Sequence, residues 1–312
     1  MSTAPPAPAA PPDTPFSLAH FQRTLIYDRA APPAALLADL QELAKFDVTM
    51  EGEEARWKGR TGWTVVALVL CLIGTIASFA MAIVPLGAVL AIGLPCLLIG
   101  AIFCGARWHH FSKYNLDNRR VILPSRVLSF LALDAHKEHP LSLRIDFRPY
   151  RDAAFLKQQH SQGMFSSQRA YQYVVPWLEM SGQLLDGQRF ALELTTVAKR
   201  KEKSKRKYTK VREVFRERLR LALRVKRAKY EELPQLDARL RAAGVPFPLR
   251  ASGFRVVEDT VELQAVSDGH FRSFGRGQTP VTTMPTDGIC TADHALQAFL
   301  TTYAGLALCR KK

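Results

Sequence analysis

The chain has 312 residues and a formal charge of +15 from 43 Lys plus Arg against 28 Asp plus Glu. That length allows one sizeable domain beside smaller segments, and the composition is neither that of a disulfide scaffold nor that of a wholly disordered chain. The excess charge is local: between Lys199 and Lys229 sixteen basic residues face only Glu202, Glu213 and Glu217, leaving +2 for all other residues.

Met1–Phe16 holds six prolines among alanines and cannot build a core, so residues 1–16 are expected to be a disordered tail. Residues 17–61 read as a short cytoplasmic helical segment. Leu18, Phe21 and Leu25 suggest a first short helix. Leu36, Leu40, Leu43 and Ala44 form a helical stripe within Pro33–Phe46, and Glu51, Glu53 and Glu54 link it to the apolar run at 62–106.

Residues 62–106 contain no Asp, Glu, Lys, Arg or His. As one helix they would extend roughly 68 Å, about twice the ~30 Å hydrocarbon core of a bilayer. A break is therefore predicted at Val84-Pro85-Leu86-Gly87, giving a transmembrane hairpin of 63–83 and 87–106. Lys45, Arg56, Lys58 and Arg60 precede it, while Arg107, Lys113, Arg119 and Arg120 come after it. The positive-inside rule then puts both termini in the cytoplasm of a multi-pass protein of the plasma (inner) membrane, with Trp63 and Trp108 at the headgroup level. The apolar run starts too late for a cleaved leader. Three of five cysteines fall in the spans and no regular framework exists, as suits a reducing compartment. Gly74, Ser78 and Ala82, and Gly93, Leu97, Ala101 and Gly105, recur every four residues. They suit packing of one hairpin helix on the other, or a homo-oligomer seam. No ionisable group lies within the spans, so they read as an anchor.

Residues 107–312 read as a cytoplasmic α+β domain with an antiparallel-rich sheet and a few helices. Pro124–Ala135 is predicted helical with Val127, Leu128 and Leu131 inward. Leu141, Leu143, Ile145 and Phe147 alternate with polar residues, as in a half-buried strand. Lys157–Arg169 reads as an exposed loop, Tyr171–Val175 as extended, and Pro176 as an edge or bulge. Trp177–Leu184 and Phe190–Ala198 flank Asp186-Gly187 in a hairpin. A three-residue connection pairing Leu184 with Phe190 and Met180 with Leu194 keeps their apolar faces together. In Arg218–Lys226 the apolar residues Leu219, Leu221, Leu223 and Val225 share a face only on a strand. The stretch Lys199–Arg212 is then expected to be a long basic loop. Pro234–Ala243 is a predicted helix closed by Gly244, and Phe254–Val257 with Val261–Ala265 a strand pair. Thr291 opens a last helix with Leu296, Phe299, Leu300, Tyr303 and Ala307 on one face.

The strongest functional signal is that basic loop. Lys199, Arg200, Lys201, Lys203, Lys205, Arg206, Lys207 and Lys210 are expected to project into water and engage anionic surfaces, acidic lipid headgroups before nucleic acid. The expected role is a membrane-tethered binding or scaffold module, without cofactor or metal. The alternative is a membrane-anchored enzyme. Its candidates are Cys290 with His294, where a helix start lowers a thiol pKa and an imidazole accepts its proton, or the metal-capable set Asp134, His136, Glu138 and His139. Gly275-Arg276-Gly277 lacks the strand and helix context of a nucleotide loop.

Overall fold

The computed structural model describes residues 15–81, 84–135, 139–162, 168–205, 208–230, 233–249, 251–274 and 290–311. The proline-rich tail up to residue 14, His136, Glu138, Arg206, Lys207 and Gly275-Arg276-Gly277 lie outside them. The chain is α+β and divides into two compact units, residues 1–40 with 117–312, and residues 41–116.

The larger unit is built on a fully antiparallel sheet of nine strands: β1 Ile26–Ala31, β2 Leu141–Asp146, β3 Leu156–Gln162, β4 Gln168–Gln183, β5 Arg189–Lys205, β6 Tyr208–Arg224, β7 Ala251–Val257, β8 Thr260–Val266 and β9 His270–Phe274. The order is β1-β2-β4-β5-β6-β8-β7, with β3 also pairing with β4 and β9 with β6. Strand β1 is a correction, since its residues lie in the stretch read as helical. Its burial is irregular and it has only six residues, so pairing with β2 decides its form. A helix α1 (Leu18–Thr24) precedes it, capped by the Ser17 side chain, with Phe21 against Phe147 at 5.4 Å.

Strand periodicity reads correctly where one face is buried. Leu141, Leu143 and Ile145 are fully buried, as are Leu219, Leu221 and Leu223 on β6. The β4–β5 hairpin pairs Gly182 with Phe190, Met180 with Leu192 and Leu178 with Leu194. That register differs from the expected one by two residues, an even slip that leaves every side chain on its predicted face. Pro176 stands at an irregularity that lets Trp177 and Leu178 both point inward. The expected loop Lys157–Arg169 is largely strand: β3 pairs with the first half of β4 through Gln158–Gln172 and Gln162–Gln168.

One face of the sheet is covered by α4 (Arg119–Asp134), α5 (Leu236–Ala242) and α6 (Ala292–Leu308). Val127, Leu128 and Leu131 face the core as expected, and α4 begins five residues before Pro124. The inward face of α6 differs from the sequence reading. Ala292, Ala295, Ala298, Phe299, Thr302, Gly305 and Leu306 are buried, whereas Leu300 is 56% exposed. Close approach decides this: a Cβ on Gly305 would stand 2.9 Å from Leu240 Cδ1 of α5, so small residues line the seam.

The smaller unit is helical. Helix α2 runs unbroken from Pro33 to Ala80, joining the predicted short helix, the acidic link and the first span, and α3 covers Val84–Ser112. The break therefore precedes Val84. Pro85 sits in the first turn of α3, where a missing N–H costs nothing. Gly87 lies inside that helix against the Phe79 ring, which a Cβ would meet at 3.2 Å. Both helices are long and apolar enough to cross a membrane, and only 6% of the most apolar window of each is buried. Packing between them uses the small residues: Gly74 lies under Leu90, and Cys71 Sγ donates to the Leu90 carbonyl at 3.3 Å. Past the apolar stretch, Trp57 stacks edge-on to Phe103, and the Leu116 N–H donates to Asp47 at 2.7 Å.

Candidate anion-binding face

The stretch read as a basic loop is strand. Strand β5 continues to Lys205 and β6 begins at Tyr208, pairing without interruption from Arg189–Arg224 to Lys205–Tyr208. These strands have 17 residues each, about 56 Å at 3.3 Å per residue, so the hairpin is unusually long. High charge suits a strand here because alternation gives each sign its own side.

On the outer side stand Lys199, Lys201 and Lys203 of β5, opposite Val214, Arg212 and Lys210 of β6, with Arg216 and Arg218 further along. All six of Lys199, Lys201, Lys203, Arg212, Arg216 and Arg218 are exposed, and Lys210 is half-buried. None has an ion-pair partner among the described residues. From the Arg218 row towards the turn, the described residues of β3, β4, β5 and β6 place no carboxylate on this side. Adjoining positions on β4 are Gln168, Ala170 and Gln172. Lys201 faces Arg212 directly across the ladder, and Lys203 faces Lys210. Like charges opposed in this way destabilise a sheet.

The inner side of the same strands holds Glu202, Glu213 and Glu217, the three acids of the basic stretch. Arg200 therefore leaves the set of free cations, because it bonds Glu202 through Nε at 2.6 Å and Glu213 through Nη1 at 3.0 Å. Buried Glu213 also accepts from the Tyr150 hydroxyl at 2.6 Å and from Arg151 at 2.9 Å. Burial, and next the Glu213 hydrogen bond, push the Tyr150 phenol up to about 12. Of the eight cations that composition singles out, the structure thus gathers Lys199, Lys201, Lys203 and Lys210 on one face and removes Arg200. The side chains of Lys205, Arg206 and Lys207 lie outside the described ones. Arg212, Arg216 and Arg218 join the face. Their alternation with Val211, Glu213, Phe215 and Glu217 reveals them once the strand is extended back from Arg218.

Glu217 is wholly buried four residues along the same side. Arg119, from the start of α4, reaches its Oε1 at 2.6 Å, the Thr196 hydroxyl donates to the same oxygen at 3.1 Å, and the Cys290 N–H donates to Oε2 at 2.7 Å. Its own N–H donates to Ser267 Oγ. The Arg119 guanidinium lies over the buried Trp177 ring at 5.0 Å, and its Nε and Nη1 have no hydrogen-bond partner among the described residues. This pair ties α4, the sheet and the entry to α6 together.

The geometry removes the Cys290–His294 dyad. Thr291 caps α6 and His294 Nδ1 accepts the Thr291 N–H at 3.1 Å, closing a capping box instead of reaching the thiol. Cys290 is fully buried, and burial first, then the Glu217 carboxylate, raise its pKa, the reverse of activation. Asp134 accepts from the Tyr303 hydroxyl at 3.0 Å, and no metal-capable group of three or more exists among the described residues. Arg119 and Arg120 are also not flanking charges of the apolar hairpin, since both are drawn into the sheet unit by α4. Comparison with family models, curated proteins and solved structures finds no match for the chain.

Proposed function

We propose that the chain is an integral membrane protein whose sheet domain offers the outer face of β5–β6 to anionic surfaces, acidic lipid headgroups first. The observation that carries this is the segregation of charge on one hairpin. From the Arg218 row towards the turn, Glu202, Glu213 and Glu217 lie on the inner side paired with arginine, whereas on the outer side Lys201 opposes Arg212 and Lys203 opposes Lys210, at a cost to the sheet that an anionic partner would relieve. A protein without such a partner gains nothing from placing Lys201 against Arg212.

Anchoring by α2 and α3 is supported by their apolar length and by how little of it is buried. Strand pairing supports a return crossing. β1 precedes the apolar helices, β2 comes after them, and the two are hydrogen-bonded neighbours in one sheet. A chain that enters a bilayer between them must leave on the side it entered. Lys45, Arg56, Lys58, Arg60, Arg107 and Lys113 remain as flanking cations and favour the cytoplasmic side of the inner membrane. Each cation brought close to an acidic leaflet contributes about 1 kcal/mol. Nucleic acid fits less well, because no described side chain on the outer face of β3–β6 is aromatic and available to stack a base.

The test uses the full chain in neutral-lipid nanodiscs, presented with vesicles with and without acidic lipid over a salt series. Binding is expected to acidic vesicles only, to fade with salt, and to be lost when Lys199, Lys201, Lys203 and Arg212 are changed to Gln. Equal binding by that variant would show that the face is not the binding surface. Stronger capture of a generic oligonucleotide than of acidic vesicles would favour the nucleic-acid reading.

A further inference from the structure

The far end of β5, away from the cationic face, carries a cleft of about 510 Å³. Three segments remote in sequence build its walls with Arg310: the β4–β5 turn, the chain leaving β6, and the β7–β8 turn. Backbone bonds fix them together. The Val225 N–H donates to the Asp259 carbonyl at 2.8 Å, the Lys311 N–H donates to the Lys229 carbonyl at 3.1 Å, and Tyr230 bridges Arg310. The site is thus a formed concavity within the volume range of small-ligand sites, too small for a duplex.

Its lining is strongly cationic. Arg224 is cancelled by Asp259 at 2.6 Å. Among the described residues Arg189, Lys226, Arg227, Lys229 and Arg310 remain, without ion pairs, against the carboxylate of Asp186. Asp186 is itself used by the turn, accepting the Gln188 N–H at 2.9 Å. The surplus among these described residues is four positive charges. A phosphate group carries about −1.5 to −2 near neutral pH, so one leaves half of the surplus unmatched and two neutralise it. Tyr230 adds a directed donor. Gln188 Nε2 donates to the phenol oxygen at 3.1 Å, which leaves the hydroxyl proton for a ligand oxygen. Burial, ahead of the Asp186 charge, raises the Tyr230 pKa, so the proton is present at neutral pH.

We infer that this cleft binds a small ligand carrying two phosphate groups, supplied either as a soluble bisphosphate or as the bisphosphorylated headgroup of a lipid. It shares no residue with the cationic set Lys199, Lys201, Lys203, Lys210, Arg212, Arg216 and Arg218, so neither assignment depends on the other.

The experiment titrates the full chain in neutral-lipid nanodiscs with inorganic pyrophosphate, inositol 1,4-bisphosphate and, at matched ionic strength, sulfate. A further arm presents vesicles doped with a phosphatidylinositol bisphosphate. Both soluble bisphosphates are expected to bind at least about tenfold more tightly than sulfate. Arg227→Ala and Arg310→Ala should each weaken them by about tenfold and Tyr230→Phe by a few-fold, all with unaltered melting temperature. Changing Lys199, Lys201, Lys203 and Arg212 to Gln should leave these affinities unchanged, so the cleft and the face fail separately. Tighter binding of the doped vesicles than of the free headgroup assigns a lipid source, and the reverse a soluble one. Sulfate binding as well as the bisphosphates, or variants binding like the parent, overturns the inference.

Discussion

The two sides of β6 share one backbone and one neighbour, yet they treat charge in opposite ways. Inward, Glu213 and Glu217 are buried and each is held by arginine and a hydroxyl. Outward, Lys210, Arg212, Arg216 and Arg218 have no counter-charge among the described residues, and Lys210 and Arg212 meet further cations across the ladder. A buried charge must be matched within the fold, because the penalty for leaving it bare is several kcal/mol. A charge in water carries no such obligation, so its arrangement is free to serve something outside the fold. The difference separates what holds the domain together from what it can offer a partner.

Removing one partner of the buried pair should give the largest effect. Glu217→Gln leaves the Arg119 guanidinium uncompensated at the junction of α4, β6 and α6 and is expected to destabilise by about 3–5 kcal/mol. Denaturant unfolding of the full chain in detergent reads this directly, and a loss below about 1 kcal/mol would abolish the contrast between the two sides. Gly305→Ala, in the α6 seam covering the inner side, should cost about 1–3 kcal/mol by forcing Leu236 and Leu240 aside.

The inner side also predicts an alkaline limb. The Tyr150 proton is held more tightly in the fold, at about 12 against an ordinary 10.0. That stability is complete below pH 10 and is lost as pH rises from there towards 12. Melting temperature against pH should fall in this window, less steeply in Tyr150→Phe. An identical slope would show that the Tyr150–Glu213 contact does not couple to folding. On the outer side, Lys201→Gln with Arg212→Gln should change stability by no more than about 0.5 kcal/mol, towards a gain, while depressing capture of acidic vesicles. A marked loss of stability would mean that these cations do internal work.

The sequence exposes elements whose burial pattern has one sign of periodicity. Leu141–Ile145, Leu219–Val225 and the stripe of α4 are legible because one face is uniformly apolar. The β5–β6 extension is not, because its buried side includes Glu213 and Glu217 and its exposed side is Lys and Arg. Charged residues then occupy both sides, and hydropathy loses its alternation. Strand β1 is hidden for another reason, since only Tyr27 and Ala31 of its six residues are buried and its partner lies beyond the apolar helices. The Arg119–Glu217 pair joins positions 98 apart, and no local spacing announces it. Composition finds the cationic candidates, but their division into paired and unpaired requires the register. The β4–β5 turn is recognisable from Asp186-Gly187, where Gly187 adopts φ +82, yet its role in a cleft depends on Tyr230 and Arg310 arriving from elsewhere.

The pairing of β1 with β2 has a consequence for biogenesis. Ile26–Ala31 is synthesised some 110 residues ahead of the strand that completes its hydrogen bonds. At ribosomal speeds of about 5–20 residues per second, that edge waits unpaired for roughly 6–22 s. Within that interval the most apolar part of the chain, residues 62–106, emerges behind it. Maturation is therefore a closing of early and late segments around an interruption, and a fragment beginning after α3 would lack its first edge strand and bare the flank of β2 to other chains.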